Sequence, residues 1–346
     1  MARRLLALAV ALLMVAGALA LRNRIDDDGS DGTGDGESGP LELICATELR
    51  AACEALTADN DDVLVTVQPA GVTAARLTAA SGPPDFDGWL VEAPWPQIVD
   101  ESRARVGSPA AFAATSDVLA RSPLVLAMWN DRLAAIEDDC EGGELTWKCI
   151  GEVAGNGWNT LGGEESWGNV KPGFADPASD GVGALVLGQA AVSYFGRTDL
   201  STADFADDGF LRWIRQLATA VPQFPTFDDM LTIGVAAVDV VGTTEAQAGP
   251  GVAASRDKDK ITITYPAPMA TADVVLASVA GADGADRLLR MVSGDTGLAA
   301  LAAAGWRVPG QRSPEGVPAE PALPDDSGLP PAGAIDALRR LWADES

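Results

Sequence analysis

Residues 169–195 read NVKPGFADPASDGVGALVLGQAAVSYF, and they predict a strand, a polar turn and a helix in direct succession. The short buried strand covers residues 170–175, and the helix runs from about Gly181 to Phe195. Ser179 or Asp180 can cap this helix by accepting a hydrogen bond from its first free amides. Those amides carry partial positive charge, so the turn can hold an anionic or polar ligand. The plainer interpretation is a strand-to-helix loop with an ordinary cap.

The composition bounds the class of protein. The 346 residues include 50 acidic and 24 basic side chains, for a net charge of −26, and no histidine. Such an acidic chain argues against nucleic acid or anionic lipid as a partner. The lack of histidine removes Ser-His-Asp and Cys-His catalysis and most zinc sites. We expect no metal and no cofactor.

The first 25 residues predict export. Arg3 and Arg4 precede seventeen uncharged residues, a run that is long for a signal-peptide core and short for a spanning helix. A cleaved signal peptide and an N-terminal membrane anchor both fit, with the anchor slightly favoured. Residues 26–40, rich in Asp and Gly, predict a disordered acidic linker. The expected location is extracytoplasmic, either anchored to the cell membrane or secreted.

Four cysteines fit an oxidising compartment: Cys45, Cys53, Cys140 and Cys149. Three disulfide pairings are possible. A bond between Cys140 and Cys149 closes an easy loop containing two glycines, and Cys45 with Cys53 then follows by default. Metal ligation is the competing interpretation, but the spacing is wrong for zinc.

Alternating patterns give the coarse order of elements. Residues 41–91 predict β-α-β-α-β, which implies a parallel sheet flanked by helices. Thr47 is the expected N-cap of the first helix. Ser122-Pro123 is expected to end one element before a buried strand over residues 124–128. Later, residues 261–265 predict a strand, and residues 334–342 a final helix that docks on the body.

In this order the chain resembles a bacterial extracellular solute-binding protein of the type II periplasmic-binding class. It is most similar to the molybdate-binding-like branch, and its tail resembles solute-binding modules fused to von Willebrand A domains. Three stretches carry the resemblance: ARSPLVLAMW at 120–129, KPGFADPASDGVGALVLGQA at 171–190, and ITITYPAPM at 261–269 with ADRLLRMVSGDTGLAALAAAGW at 285–306.

The resemblance implies an α/β fold of two lobes, each a mainly parallel sheet flanked by helices, joined by two hinge crossovers. Lobe 1 would comprise residues 41–121 and 266–310, and lobe 2 residues 122–265. Residues 311–346 would form a Pro-rich tail and a docking helix. We separately expect a monomer.

The resemblance also places the ligand between the lobes. The positions that match the family's ligand-binding positions are Thr47, Trp89, Ser122, Asp176, Ser179, Asp180, Thr243, Thr244 and Tyr265. The plainer alternatives are helix caps for the hydroxyls, a core position for Trp89 and a hinge cover for Tyr265. Glu48 departs from the serine-bearing turn of oxyanion binders and would repel an anion. A cationic, zwitterionic or polar neutral solute is therefore at least as compatible as a dianionic oxyanion.

Three functions follow from these observations. The leading one is a solute-binding protein that closes on a small polar solute for an ABC-type permease or a sensor. The second is a structural or interaction module of the cell envelope without a ligand, with a von Willebrand A-type protein as one possible partner. The weakest is an envelope hydrolase that uses paired carboxylates. We expect that this protein is not an enzyme.

Overall fold

The computed structural model describes residues 39–58, 60, 62–140, 143–313 and 321–345. The proposed leader of residues 1–25 and nearly all of the acidic linker lie outside these ranges. Among the helices within them, none combines the length and apolar character needed to cross a bilayer.

The described residues form nine strands and twelve α-helices. The strands are β1 Leu41–Cys45, β2 Val63–Val67, β3 Gly88–Glu92, β4 Phe112–Thr115, β5 Ala120–Trp129, β6 Pro172–Gly173, β7 Val240–Thr244, β8 Ile261–Thr264 and β9 Thr271–Val279. The helices are α1 Arg50–Thr57, α2 Ala70–Ala79, α3 Trp95–Arg105, α4 Asn130–Ile136, α5 Trp147–Val153, α6 Gly181–Phe195, α7 Asp208–Ala220, α8 Phe227–Thr232, α9 Glu245–Ala254, α10 Ala285–Ser293, α11 Asp295–Ala303 and α12 Ala332–Glu345.

The strands form two sheets that share β5. In the first sheet, β1 lies between β2 and β3 and is parallel to both, while β9 runs antiparallel to β3, β4 and β5. In the second sheet, β5 runs antiparallel to β7 and β8, and β6 is parallel to β7. We call the elements around the first sheet the first lobe, and those around β6, β7 and β8 the second lobe.

Strand β5 does not break at Ser122-Pro123, so that prediction is wrong. Residues 120–123 pair with β9, and from Leu124 onward the partners are β7 and β8. Proline donates no ladder hydrogen bond and is tolerated where pairing changes. Pro123 stands at this change of partner, and the strand passes through it into the second lobe.

Strand β5 is buried on both faces. Leu124, Leu126 and Met128 face the main hydrophobic core, while Val125 and Ala127 on the other face join a smaller core in the second lobe. Alternate residues of a strand point to opposite faces, so a strand covered on both sides needs a continuous apolar run.

The stretch at residues 169–195 folds largely as predicted. Helix α6 begins at Gly181 and ends at Phe195, and Asp180 caps it through Gly183 N at 2.7 Å. The strand is shorter than expected, with only Pro172 and Gly173 in β6. Residues 181–192 are all buried, as expected of a helix that is apolar on every side.

The two disulfides join Cys45 to Cys53 and Cys140 to Cys149. This confirms the predicted pairing. The first bond ties the end of β1 to α1, and the second ties the chain after α4 to α5. Both therefore hold elements that are close in sequence.

Candidate functional site

A cleft of about 430 Å³ lies where β1, β6 and β7 end and the next segments begin. Open sheets of this kind bind ligands at the carboxyl ends of their strands. Both lobes contribute polar side chains to its wall, and the most relevant are Thr47, Glu48, Asp180, Thr243, Thr244 and Gln247. The buried rings of Phe227 and Trp306 add apolar surface.

Two threonines and a glutamine form the wall at the start of α9. Thr244 caps this helix by accepting from Gln247 N at 3.2 Å. Thr243 Oγ1 donates to Gln247 Oε1 at 2.6 Å and so fixes the orientation of the amide. The Gln247 NH₂ group then remains a donor at the cleft, and sequence reasoning did not identify this residue.

The N-terminus of α6 is occupied by a side chain of the first lobe. Glu48 Oε1 accepts from Gly181 N at 3.0 Å and from Val182 N at 3.3 Å. A carboxylate is the kind of group that free amides and the positive end of a helix favour. Glu48 therefore takes the position at which the sequence predicted a ligand.

Glu48, Glu92 and Asp180 bring three carboxyl groups together. Glu92 is 0 % exposed, whereas Glu48 and Asp180 are half-buried. Burial raises the pKa of Glu92 well above its usual range, and the charge of Glu48 adds to the rise. Burial likewise raises the pKa of Asp180, helped by the charge of Glu48 and a hydrogen bond with it. Both groups therefore tend to hold their protons.

Asp176 and Ser179 stabilise the turn instead of lining the cleft. Asp176 accepts from Ala178 N at 3.0 Å and from Ser179 Oγ at 2.8 Å. The carbonyl of Ser179 accepts from Gly71 N of the first lobe at 2.9 Å. Of the three predicted residues in this turn, only Asp180 reaches the cleft.

Ser122 and Tyr265 lie near the strands that join the lobes. Ser122 is buried, and its Oγ accepts from Ala246 N at 2.9 Å. Tyr265 donates to Glu245, which also accepts two hydrogen bonds from Arg307 at 2.6 and 2.7 Å. Burial raises the pKa of Tyr265, so its hydroxyl stays protonated. These two residues connect elements and do not line the cleft.

Trp89 and Thr47 also differ from the sequence-based picture. Trp89 is 0 % exposed and stacks on Phe112 at 5.9 Å, so it belongs to the core. Thr47 lines the cleft but caps nothing, because the short 3-10 turn that precedes α1 starts after Ala46 and has no side-chain cap. The structure thus brings Thr47, Asp180, Thr243 and Thr244 together and places the other five predicted residues elsewhere.

Metal binding finds no support in the described ranges, where no three His, Cys, Asp or Glu side chains are arranged to hold an ion.

Sequence reasoning did not identify Glu92 as part of the site. The one signal for it in the sequence is that an acidic residue ends the apolar strand GWLVE.

Comparison with known proteins identifies the family. Residues 41–307 match the family described as bacterial extracellular solute-binding protein, and the chain belongs to it. Members of this class are binding proteins and not enzymes, and they work with ABC permeases outside the cytoplasm. No curated protein matches the chain significantly in sequence.

Solved structures agree on the fold. The periplasmic binding protein AfuA from Actinobacillus pleuropneumoniae, with exogenous fructose-6-phosphate bound, has a TM-score of 0.59 at 14% identity. That alignment covers 89% of this chain and 99% of AfuA. The ferric binding protein from Campylobacter jejuni has a TM-score of 0.56 at 9% identity. That alignment covers 88% of this chain and 96% of the Campylobacter protein. The apo ferric ion-binding protein A from Pasteurella haemolytica has a TM-score of 0.56 at 11% identity. That alignment covers 89% of this chain and 96% of the Pasteurella protein. The fold is therefore the two-lobed type II periplasmic-binding fold.

Proposed function

We propose that this protein holds a small polar solute in the cleft between its lobes and presents it to an ABC-type permease. The observation that carries the proposal is the cleft itself, with hydroxyl, amide and carboxyl groups from both lobes at the carboxyl ends of β1, β6 and β7. We assign residues 41–121 and 266–310 to lobe 1 and residues 122–265 to lobe 2. The solute would contact Thr47, Asp180, Thr243, Thr244 and Gln247.

The finer predictions from sequence have unequal support. The named relatives bind solutes as different as a sugar phosphate and ferric ion, so neither ligand transfers to this chain. Glu48 at the start of α6 disfavours the oxyanion of the molybdate-like branch. A von Willebrand A-type partner and an N-terminal anchor stay predictions, as does a monomeric state.

The solute can be tested without knowing it beforehand. Native mass spectrometry of protein purified from its own host should show a bound small molecule, which should then raise the melting temperature of stripped protein. Thr243→Val should weaken its binding about tenfold, because a hydrogen-bonding group is lost in a partly desolvated site. Thr219→Val, on the exposed side of α7, is the matched control and should bind normally.

One observation favours the second candidate, an interaction module without a ligand. Glu48 already bridges the lobes by bonding to the α6 amides, which is the contact that a solute would otherwise make. The same experiment distinguishes the two functions. No co-purified molecule and no melting shift with a broad solute panel would favour the interaction module and overturn the solute-binding proposal.

A further inference from the structure

The wall of the cleft beside α6 is rich in hydrogen-bond acceptors. Glu48 uses Oε1 on the α6 amides, while its Oε2 is buried and meets no donor among the described residues. Asp180 accepts from Gly183 N through Oδ1. Ionised carboxylates can only accept hydrogen bonds, so apart from the proton that Asp180 holds, the described residues offer Glu48 Oε2 no donor.

Glu92 strengthens this observation independently. Its side chain is fully buried, and neither carboxyl oxygen meets a donor in the part of the chain that the structure describes. It points at the start of α6, since a Cβ built on Gly181 would lie 2.7 Å from Glu92 Oε2 and 3.3 Å from Glu48 Oε1. A buried carboxyl group without a partner is costly, and it requires either a proton or a nearby cation.

Among the described residues, the nearby cationic and N–H side chains do not pair with Glu48, Glu92 or Asp180. Arg339 donates hydrogen bonds to the carbonyl oxygens of Pro177 and Ala178 at 2.8 and 2.7 Å. Trp95 Nε1 donates to Gly181 O at 3.3 Å. Arg50 lines the cleft, but its side chain is 55% exposed and lies 3.9 Å from Glu54.

We propose that the solute is an organic cation with a primary ammonium group, which lies between Glu48 and Asp180. This inference rests on the proposed function and names the solute class of the same cleft. The ammonium supplies three N–H donors and one positive charge, and it takes the place of the proton that Asp180 holds in the free cleft. The Gln247 amide and the rings of Phe227 and Trp306 provide polar and apolar contacts for the remainder of the molecule.

Binding of such a cation is coupled to proton release. In the free cleft, Asp180 faces Glu48, Asp176 and Glu92 and has a raised pKa. A cation beside Asp180 stabilises its ionised form and lowers that pKa, so the complex binds fewer protons than the free protein. The affinity for the cation therefore rises with pH.

The test uses three matched pairs of probes with the full chain. Ethanolamine, 1,4-diaminobutane and D-glucosamine are each compared with the hydroxyl counterpart, namely ethylene glycol, 1,4-butanediol and D-glucose. By calorimetry, at least one amine should bind ten times more tightly than its counterpart, and more tightly at pH 7.5 than at pH 5.5. Titration in buffers of different ionisation enthalpy should show release of protons. If no amine exceeds its counterpart, the inference is overturned.

Two variants locate the ammonium. Asp180→Asn and Glu48→Gln should each weaken amine binding at least tenfold and flatten its pH dependence. Asn is a good N-cap, so Asp180→Asn should still fold. Glu42→Gln changes an exposed acid on β1 and should bind as the wild type does. If sulfate, succinate or one of the hydroxyl probes binds in this cleft instead, the inference fails while the proposed function stands. If nothing binds and no small molecule co-purifies with the protein from its host, both fail.

Discussion

Glu48 shows how one side chain can change what a helix N-terminus binds. The sequence correctly predicts that α6 begins at Gly181 with Asp180 as its cap. It does not predict that a residue 133 positions earlier supplies a carboxylate to the same amides. A local pattern gives the cap, whereas the long-range partner depends on how the two lobes meet. Sequence reasoning therefore identified the place but not its occupant.

Glu92→Gln should stabilise the protein in a pH-dependent way. The pKa of Glu92 is higher in the folded state than its ordinary value of 4.5, so the folded state binds more protons. The stability that the protonated Glu92 carboxyl group contributes is complete below pH 4.5 and is lost as the pH rises through the raised folded pKa. Glutamine does not ionise, so the variant should gain on the order of 1–3 kcal/mol at pH 8 and almost nothing at pH 4.

Urea unfolding at several pH values measures this gain. The matched control is Glu42→Gln, which removes an exposed carboxylate from the neighbouring strand and should leave the pH profile unchanged. A Glu92→Gln curve parallel to that of the wild type between pH 4 and pH 8 would contradict the assignment of a raised pKa.

At the scale of elements, local sequence patterns predicted the helices and short strands well, whereas they predicted the long strands poorly. The helices α6 and α12 and the parallel group β1, β2 and β3 follow from periodicity and caps. Residues 271–279 carry no predicted element, although they form β9, which pairs with β3, β4 and β5 in the first sheet. A buried apolar run does not by itself distinguish strand from helix, and its partners are distant in sequence. The same reason explains the error at Pro123.

Helix α12 links the two lobes. Asp336 bonds to Arg105 of α3 at 2.9 Å, and Glu345 bonds to Arg215 of α7 at 2.7 Å. Trp342 is buried and packs on Phe174 at a ring distance of 5.0 Å. The segment that precedes α12 accepts from Arg121 through Pro324 O at 2.7 Å. Any opening of the cleft must therefore deform or release contacts made by α12.

Trp342→Ala should cost about 3–5 kcal/mol of stability, because it leaves a cavity between α12 and the second lobe. Chemical denaturation should show a lower midpoint with an unchanged slope. Asp344→Ala, on the exposed side of the same helix, should change the stability by less than about 0.5 kcal/mol. Equal midpoints for the two variants would show that α12 contributes little to the folded core.

For the whole molecule, the order of elements predicted the two-lobed fold, but it did not predict how tightly the lobes contact each other. Glu48 reaches from the first lobe to the amides of α6, and Gly71 N of the first lobe donates to Ser179 O of the second at 2.9 Å. Trp95 Nε1 makes a third contact, with Gly181 O. In hinge-bending proteins a ligand shifts the balance between open and closed forms. Here the chain itself makes several of the closing contacts, so the free protein should favour the closed form.

Gly71→Ala should disturb this closed form directly. A Cβ at this position would lie 2.3 Å from Ala178 O and 2.8 Å from the Cα of Ser179, both of them backbone atoms of the opposite lobe. Such overpacking costs about 1–3 kcal/mol, more than the roughly 0.5–1 kcal/mol that Ala gains over Gly within a helix. We expect faster hydrogen exchange at Gly181 and Val182 and a larger radius of gyration in solution scattering.

The matched control is Gly82→Ala, where the new Cβ meets no atom within 4 Å. It should leave both the exchange rates and the scattering curve unchanged. If the lobes of the free protein already stand apart in solution, Gly71→Ala relieves no clash and alanine should stabilise α2 instead. A rise in melting temperature with unchanged exchange at Gly181 would therefore show that Gly71 and Ser179 are not in contact in the free protein, and that closure requires a solute.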